Sequence, residues 1–301
     1  MSKLAKLATR LDTWGAKKRA VEFRTGWASK TRDDIQFFDT GKVQYRYRER
    51  GAGPAIVFTA DPPVTLELYD EFLDVFAARF RVIVVELPGM GFSAARASYT
   101  FGFRETNDGL AEFCEAVAGP GAILAFSCVV GLAAIDIAAR RPELVSKLAL
   151  MQTTDWEGFL NWKTARDPKR ILAKPFLGQI AMRRLAKARA PMWFDLSVGN
   201  RDKVEPFSCC AEETLSHGAG WALASAYQSY LSSGASPVGK IEQPALVIWG
   251  KADRSHNTAA STRAKNIGAN VQLVELDSAG HFPELEETRK AYEIITGFVD
   301  G

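Results

Sequence analysis

At 301 residues and 47% hydrophobic content, the chain is long enough to bury the core of a single enzyme-sized domain. A formal net charge of +3 lacks the strongly basic balance of a nucleic-acid binder, and no apolar stretch approaches the roughly 20 residues that span a bilayer. With no secretory h-region, and four cysteines (Cys114, Cys128, Cys209, Cys210) lacking metal-ligand spacing, a cytoplasmic protein with reduced thiols and no cofactor is expected.

Residues 1–32 hold nine Lys or Arg against Asp12 and Glu22. Leu4, Leu7, Leu11, Trp14 and Val21 recur at helical spacing, which predicts a basic amphipathic helix. Such a helix packs on the domain or on a second subunit; the other readings are a membrane surface or an acidic carrier protein. Strands are predicted at 42–49, 54–59, 81–86, 121–126, 146–152, 244–250 and 270–276. Helical patterns separate them, which is the alternation of an α/β fold with a mostly parallel sheet. Leu110, Phe113, Cys114 and Val117 form a core-facing stripe, so Cys114 is expected to be structural. Between Thr153 and Ile241 the alternation stops, and helical-looking segments carry aromatics such as Trp162, Trp193, Tyr227 and Tyr230.

One junction stands out chemically. Ile123-Leu124-Ala125-Phe126-Ser127-Cys128-Val129-Val130-Gly131-Leu132 runs from an apolar strand directly into a helix. A strand that turns sharply into a helix holds one side chain at the apex, above the helix N-terminus. The free N–H groups there favour a thiolate and a developing oxyanion. Two further candidates follow predicted strands. Asp253 comes after Ala245–Trp249, and His281 after Val271–Leu276, in the order nucleophile, acid, histidine. His256 is read as a helix-start residue near the site and His217 as a residue of the helical insertion.

These segments, with Val82-Ile83-Val84-Val85-Glu86-Leu87-Pro88-Gly89-Met90-Gly91-Phe92-Ser93, resemble the α/β-hydrolase superfamily over residues 42–152 and 242–300. The resemblance implies an α/β-hydrolase core of residues 33–153 and 241–301, with 154–240 as a helical lid over an enclosed apolar pocket. Counting back from Gly131-Leu132 and from Arg141-Pro142-Glu143-Leu144-Val145 puts Cys128 at the nucleophile position, with Ser127 as the alternative. Glu86 replaces the usual Asp of its loop and is expected to be structural.

The departures from the family's pattern limit the activity. Thr59-Ala60-Asp61-Pro62-Pro63 replaces the usual His-Gly, so the oxyanion donors become the backbone N–H groups of Asp61 and Val129. An inward Asp61 carboxylate would repel an oxyanion, and Phe126 and Val130 are bulky for a strained turn. These changes argue against an ordinary fast esterase. The implied chemistry is a Cys128–His281–Asp253 acyl-enzyme formed from an ester or thioester with a hydrophobic or aromatic part, including an acyl-carrier or CoA thioester. It ends in acyl transfer, cyclisation or hydrolysis. The alternatives are a non-covalent isomerase, epimerase, dehydratase or lyase using His281 or Asp61 as acid or base, and a non-catalytic ligand-binding protein.

Overall fold

A computed structural model describes residues 3–10, 12–13, 26–231, 236–256 and 259–301. Its nine strands are β1 (Ile35–Asp39), β2 (Val43–Arg50), β3 (Ala55–Ala60), β4 (Arg81–Glu86), β5 (Ala94–Ala95), β6 (Ala122–Ala125), β7 (Val145–Met151), β8 (Ala245–Gly250) and β9 (Val271–Leu276). They form one sheet in the order β1-β2-β4-β3-β6-β7-β8-β9, with β5 paired to β2. From β4 to β9 every pairing is parallel, while β1 and β2 run antiparallel at one edge. The seven predicted strands are present within a residue at each end. The strands β1 and β5 were not anticipated: β1 is only half-buried and β5 has two residues, so neither gives a clear apolar run.

The central strands are legible because both faces of a parallel sheet are covered, which demands continuous apolar sequence. Ala55–Ala60, Ala122–Ala125 and Ala245–Gly250 are buried almost throughout. Within them the pleat still divides side chains between two cores. Val57, Leu124, Leu148 and Val247 pack on one face; Ile56, Phe58, Ala149 and Ile248 pack on the other. Cys114 lies in the first core, where burial pushes its thiol up to about 12.

Glu86 ends β4 and accepts hydrogen bonds from Phe92 N at 2.5 Å and Arg46 Nη1 at 2.7 Å. Arg46 is fully buried on β2, also bonds Glu67, and donates to Ala28 O at 3.0 Å. Removing one partner from such a group leaves unpaired buried charge. Arg46→Met, which leaves Glu86 and Glu67 unpaired, is therefore expected to destabilise the protein by about 3–5 kcal/mol in chemical denaturation.

Between β7 and β8 the described residues form four helices, Trp156–Arg166, Leu177–Ser197, Arg201–Ser216 and Leu223–Ser229. Residues 3–10 and 12–13 are helical; Lys6, Thr9 and Arg10 lie beside residues 97–100, and Asp12 reaches the insertion. Asp12 accepts bonds from Arg183 at 2.8 Å and Ser225 at 2.6 Å, while Leu4 and Leu7 stay exposed. The predicted positions Leu11, Trp14 and Val21 lie outside the described residues. His217 follows the third of these helices and stacks on Trp27, far from any catalytic arrangement. Among the described residues no helix is long and apolar enough to cross a membrane.

Candidate active site

The junction after β6 is a sharp turn with Cys128 at its apex. Cys128 has φ +52°, a conformation that costs energy for any residue with a Cβ. A short 3-10 turn, Cys128–Val130, then leads into the helix Gly131–Arg140. The Thr153 hydroxyl lies 3.1 Å from Cys128 O and 2.9 Å from Met151 O, tying the apex to the end of β7. Gly131 is needed for that approach, because a Cβ there would collide with the Thr153 side chain. Phe126 does not block the turn, since its ring points into the core. Val130 lines the cavity above the apex.

Ser127 and Cys128 face different environments. Ser127 keeps an extended backbone, and its hydroxyl points to the buried Glu284 carboxylate at 3.4 Å. Cys128 lines the main cavity, whose volume is about 680 Å³. Val129 follows Cys128 at the apex and lines the cavity, which is where the backbone N–H of an oxyanion donor is needed.

Three loops at the C-terminal ends of parallel strands supply the polar groups, as open α/β sheets do. Asp253 follows β8, His281 follows β9, and Asp61 follows β3. Asp253 Oδ2 receives His281 Nδ1 at 2.7 Å, His256 Nδ1 at 2.9 Å and Gln152 Nε2 at 2.9 Å. Its Oδ1 accepts Ser255 N at 2.7 Å. Burial opposes ionisation of Asp253, yet the two imidazoles and these bonds hold its carboxyl far below the usual range.

The two histidines differ in charge. His281 Nε2 meets Asp61 Oδ2 at 2.7 Å, so both ring nitrogens face carboxylates. Burial disfavours the charged ring, but Asp253, then the neighbouring Cys128 sulfur and the bond to Asp61, outweigh it and raise the His281 pKa well above the usual value. His281 is therefore an imidazolium. His256 is depressed, first by burial, with its bond to Asp253 opposing. It is neutral, donates Nδ1–H to Asp253, and turns Nε2 toward Cys128 Sγ at 3.9 Å. Trp162 stacks on it at 5.3 Å and 11°, and Trp193 meets His281 edge-on at 5.4 Å.

Cys128, Val129, Asp61 and His281 thus line one pocket, with Asp253 bonded behind His281, while Ser127 and Phe126 point elsewhere. Two features differ from the sequence reading. The Asp61 carboxylate points inward and meets His281 Nε2, and a second ring, that of His256, comes to 3.9 Å from the sulfur beside His281, whose donor atom also lies within 4.8 Å of it. The signal for His256 was its place three residues after Asp253, a spacing that brings both side chains to the same side of one turn. Of the insertion's aromatics, Trp162, Trp193, Tyr227 and Tyr230 line the cavity, whereas Phe159, Phe194 and Phe207 pack in the cores.

Burial, with the Asp61 carboxylate adding to it, pushes the Cys128 thiol up to about 11. Only the thiolate is alkylated, so labelling of Cys128 by iodoacetamide should rise about tenfold per pH unit from pH 7 to about pH 10. Peptide mass mapping reads this, and a plateau below about pH 8 would contradict it. Glu284 is fully buried, Oε2 makes no hydrogen bond, and burial pushes its carboxyl up to about 8. Its folded pKa exceeds its unfolded one, so stability present at low pH is lost as pH rises from about 4.5 to about 8. Glu284→Gln removes that titration. It should match the parent near pH 4 and exceed it by about 2–5 kcal/mol near pH 8.5 in denaturant melts.

A mostly parallel sheet, an apex residue at φ +52°, and an acid and a histidine from later strand ends define an α/β hydrolase. The chain belongs to that family of enzymes: the profile of the alpha/beta hydrolase family matches residues 51–293. A curated relative, a pimeloyl-[acyl-carrier protein] methyl ester esterase of Nitrosospira multiformis, is 25% identical over 274 residues. That match spans 86% of this chain and 99% of the relative. The fold is shared with a Bacillus megaterium epoxide hydrolase (TM-score 0.70, 16% identity), matching 88% of this chain and 100% of the other. It is shared equally with an enol-lactonase of Burkholderia xenovorans (TM-score 0.68, 20% identity, 88% and 100%).

Proposed function

We propose that the protein is a cysteine-dependent acyl-enzyme hydrolase or acyltransferase acting on an ester or thioester with a hydrophobic acyl part. The observation that carries this is Cys128 at the strained apex on the cavity floor, with the neutral His256 Nε2 3.9 Å from its sulfur. As the sulfur attacks the carbonyl carbon, its proton passes to His256 Nε2. The tetrahedral oxyanion takes the Val129 and Asp61 N–H groups, each such donor being worth about 3 kcal/mol. The C–O or C–S bond then breaks, and the leaving alkoxide or thiolate takes a proton from the imidazolium. A thioester to Cys128 remains, which water or an acceptor nucleophile cleaves to regenerate the thiol. The inward Asp61 carboxylate is tolerated because the His281 imidazolium neutralises it.

A thioester intermediate reacts well with amines, thiols and carbanions relative to water, which favours acyl transfer or cyclisation alongside hydrolysis. An acyl-carrier or CoA thioester is the substrate class we favour; the relative named as a pimeloyl-[acyl-carrier protein] methyl ester esterase supports a carrier-borne acyl group, its own named bond being a methyl ester. The helix Leu177–Ser197 supports that class with the exposed cations Arg184 and Lys187 and with Arg189 at the cavity. The insertion serves as a lid, and a cytoplasmic setting fits the reduced thiols.

The 2.7 Å contact between Asp61 and His281 favours one rival, a non-covalent isomerase, epimerase, dehydratase or lyase using this pair as acid and base. Intact mass after incubation with short-chain and aryl esters and thioesters separates the two. An acyl adduct lost in Cys128→Ala and kept in Ser127→Ala supports the sulfur nucleophile. An adduct lost only in Ser127→Ala moves the nucleophile to Ser127, and turnover retained by Cys128→Ala supports the rival.

A further inference from the structure

We propose that Asp61, Cys128, His256 and His281 form a binding site for one borderline-soft divalent cation of the zinc class, with Cys128 as its thiolate ligand. This goes beyond the acyl-enzyme reading and stands on a separate observation. Donor atoms of Asp61, Cys128 and His281 lie within 4.8 Å of one another, and all three residues are buried. His256 stands outside that cluster, but its Nε2 lies 3.9 Å from Cys128 Sγ and would supply the fourth donor by a small turn toward the other three.

The histidines are held as metal-ligating histidines are held. Each donates Nδ1–H to Asp253 Oδ2, at 2.7 Å for His281 and 2.9 Å for His256. A carboxylate behind the ring fixes tautomer and orientation and leaves Nε2 as the donor atom. Here one carboxylate does this for two rings, whose centroids are 4.8 Å apart. Gln152 and Ser255 N pin that carboxylate in turn.

Charge and softness agree. A thiolate and a carboxylate neutralise a divalent cation, and the imidazoles contribute none. One sulfur, two nitrogens and one oxygen suit zinc or cobalt, whereas magnesium and calcium require oxygen donors. With metal–sulfur near 2.3 Å and metal–nitrogen near 2.0–2.1 Å, tetrahedral neighbours lie roughly 3.3–3.6 Å apart. The 3.9 Å sulfur–nitrogen separation needs to close by only a few tenths of an ångström. The 2.7 Å His281–Asp61 contact must open, because the cation takes the place of the proton that now bridges them. The site faces the cavity, which gives the ion a route in. A loaded site holds the sulfur as a ligand, so zinc is a reversible blocker of Cys128 chemistry.

The test is titration of chelator-treated full-length protein with Co²⁺, without substrate. One equivalent is expected to produce the intense visible bands of a tetrahedral site and a sulfur-to-cobalt charge-transfer band. Zn²⁺ should bleach both stoichiometrically. Cys128→Ser should lose the charge-transfer band, and His256→Gln should bind at least about tenfold more weakly. Wild-type protein gives a second readout that needs no variant: Zn²⁺, but not Mg²⁺, should protect Cys128 from alkylation. No charge-transfer band, a band that survives Cys128→Ser, or alkylation indifferent to Zn²⁺ each overturns the site. None of these bears on the acyl adduct, which is measured on metal-free protein.

Discussion

Replacing Cys128 by alanine is expected to lower kcat/KM for an activated thioester by about 10³-fold or more, while Ser127→Ala stays within about tenfold of wild type. The two residues are neighbours, so the contrast isolates geometry from composition. Cys128 occupies the apex at φ +52° and lines the cavity. Ser127 points the other way, into the buried contact with Glu284. Steady-state kinetics read the effect, and circular dichroism confirms that both variants fold. Equal losses in both would mean that the turn itself has been disturbed, and the assignment of the nucleophile would fail.

His256→Ala is expected to slow acylation by about 10²–10⁴-fold, the range for loss of a positioned general base. The neutral ring of His256 has a free Nε2 beside the sulfur, whereas His281 is already protonated and bonded to Asp61. Only the first can accept the thiol proton without a prior rearrangement. Single-turnover acylation followed by mass measures this directly. If His256→Ala acylates within about threefold of wild type while His281→Ala fails, Asp61 swings away on substrate binding and His281 is the base. The pair of variants therefore reports which of two rings on one carboxylate does the work.

Much of this architecture was legible along the chain, for a physical reason. Buried parallel strands must be apolar on both faces, so the segments Ala55–Ala60, Arg81–Glu86 and Ala245–Gly250 announce themselves without any knowledge of their neighbours. The apex could be placed because a strand, a helix start and the downstream Arg-Pro-Glu-Leu-Val turn fix a count of residues. Asp253 and His281 followed from their positions after strands. By contrast β1 was missed, since its alternation is weak and its faces are half-exposed. The crowding expected from Phe126 did not materialise, because its ring turns into the core and the close approach falls instead at Gly131.

By itself the sequence, through its resemblance to the family, determined the α/β-hydrolase class, the chain order Cys128, Asp253, His281, each after a strand, and the replacement of the family's His-Gly by Asp61-Pro62. Those are properties of local pattern and spacing. Only the tertiary structure decided the protonation and pairing of the site. Whether Asp61 turns its carboxylate inward depends on His281, 220 residues away, offering Nε2 at 2.7 Å. Whether His256 approaches the sulfur depends on Trp162 stacking behind it from the helical insertion. Burial sets the cost of each charge, and burial is created jointly by strands, loops and insertion, so no single stretch of chain contains it.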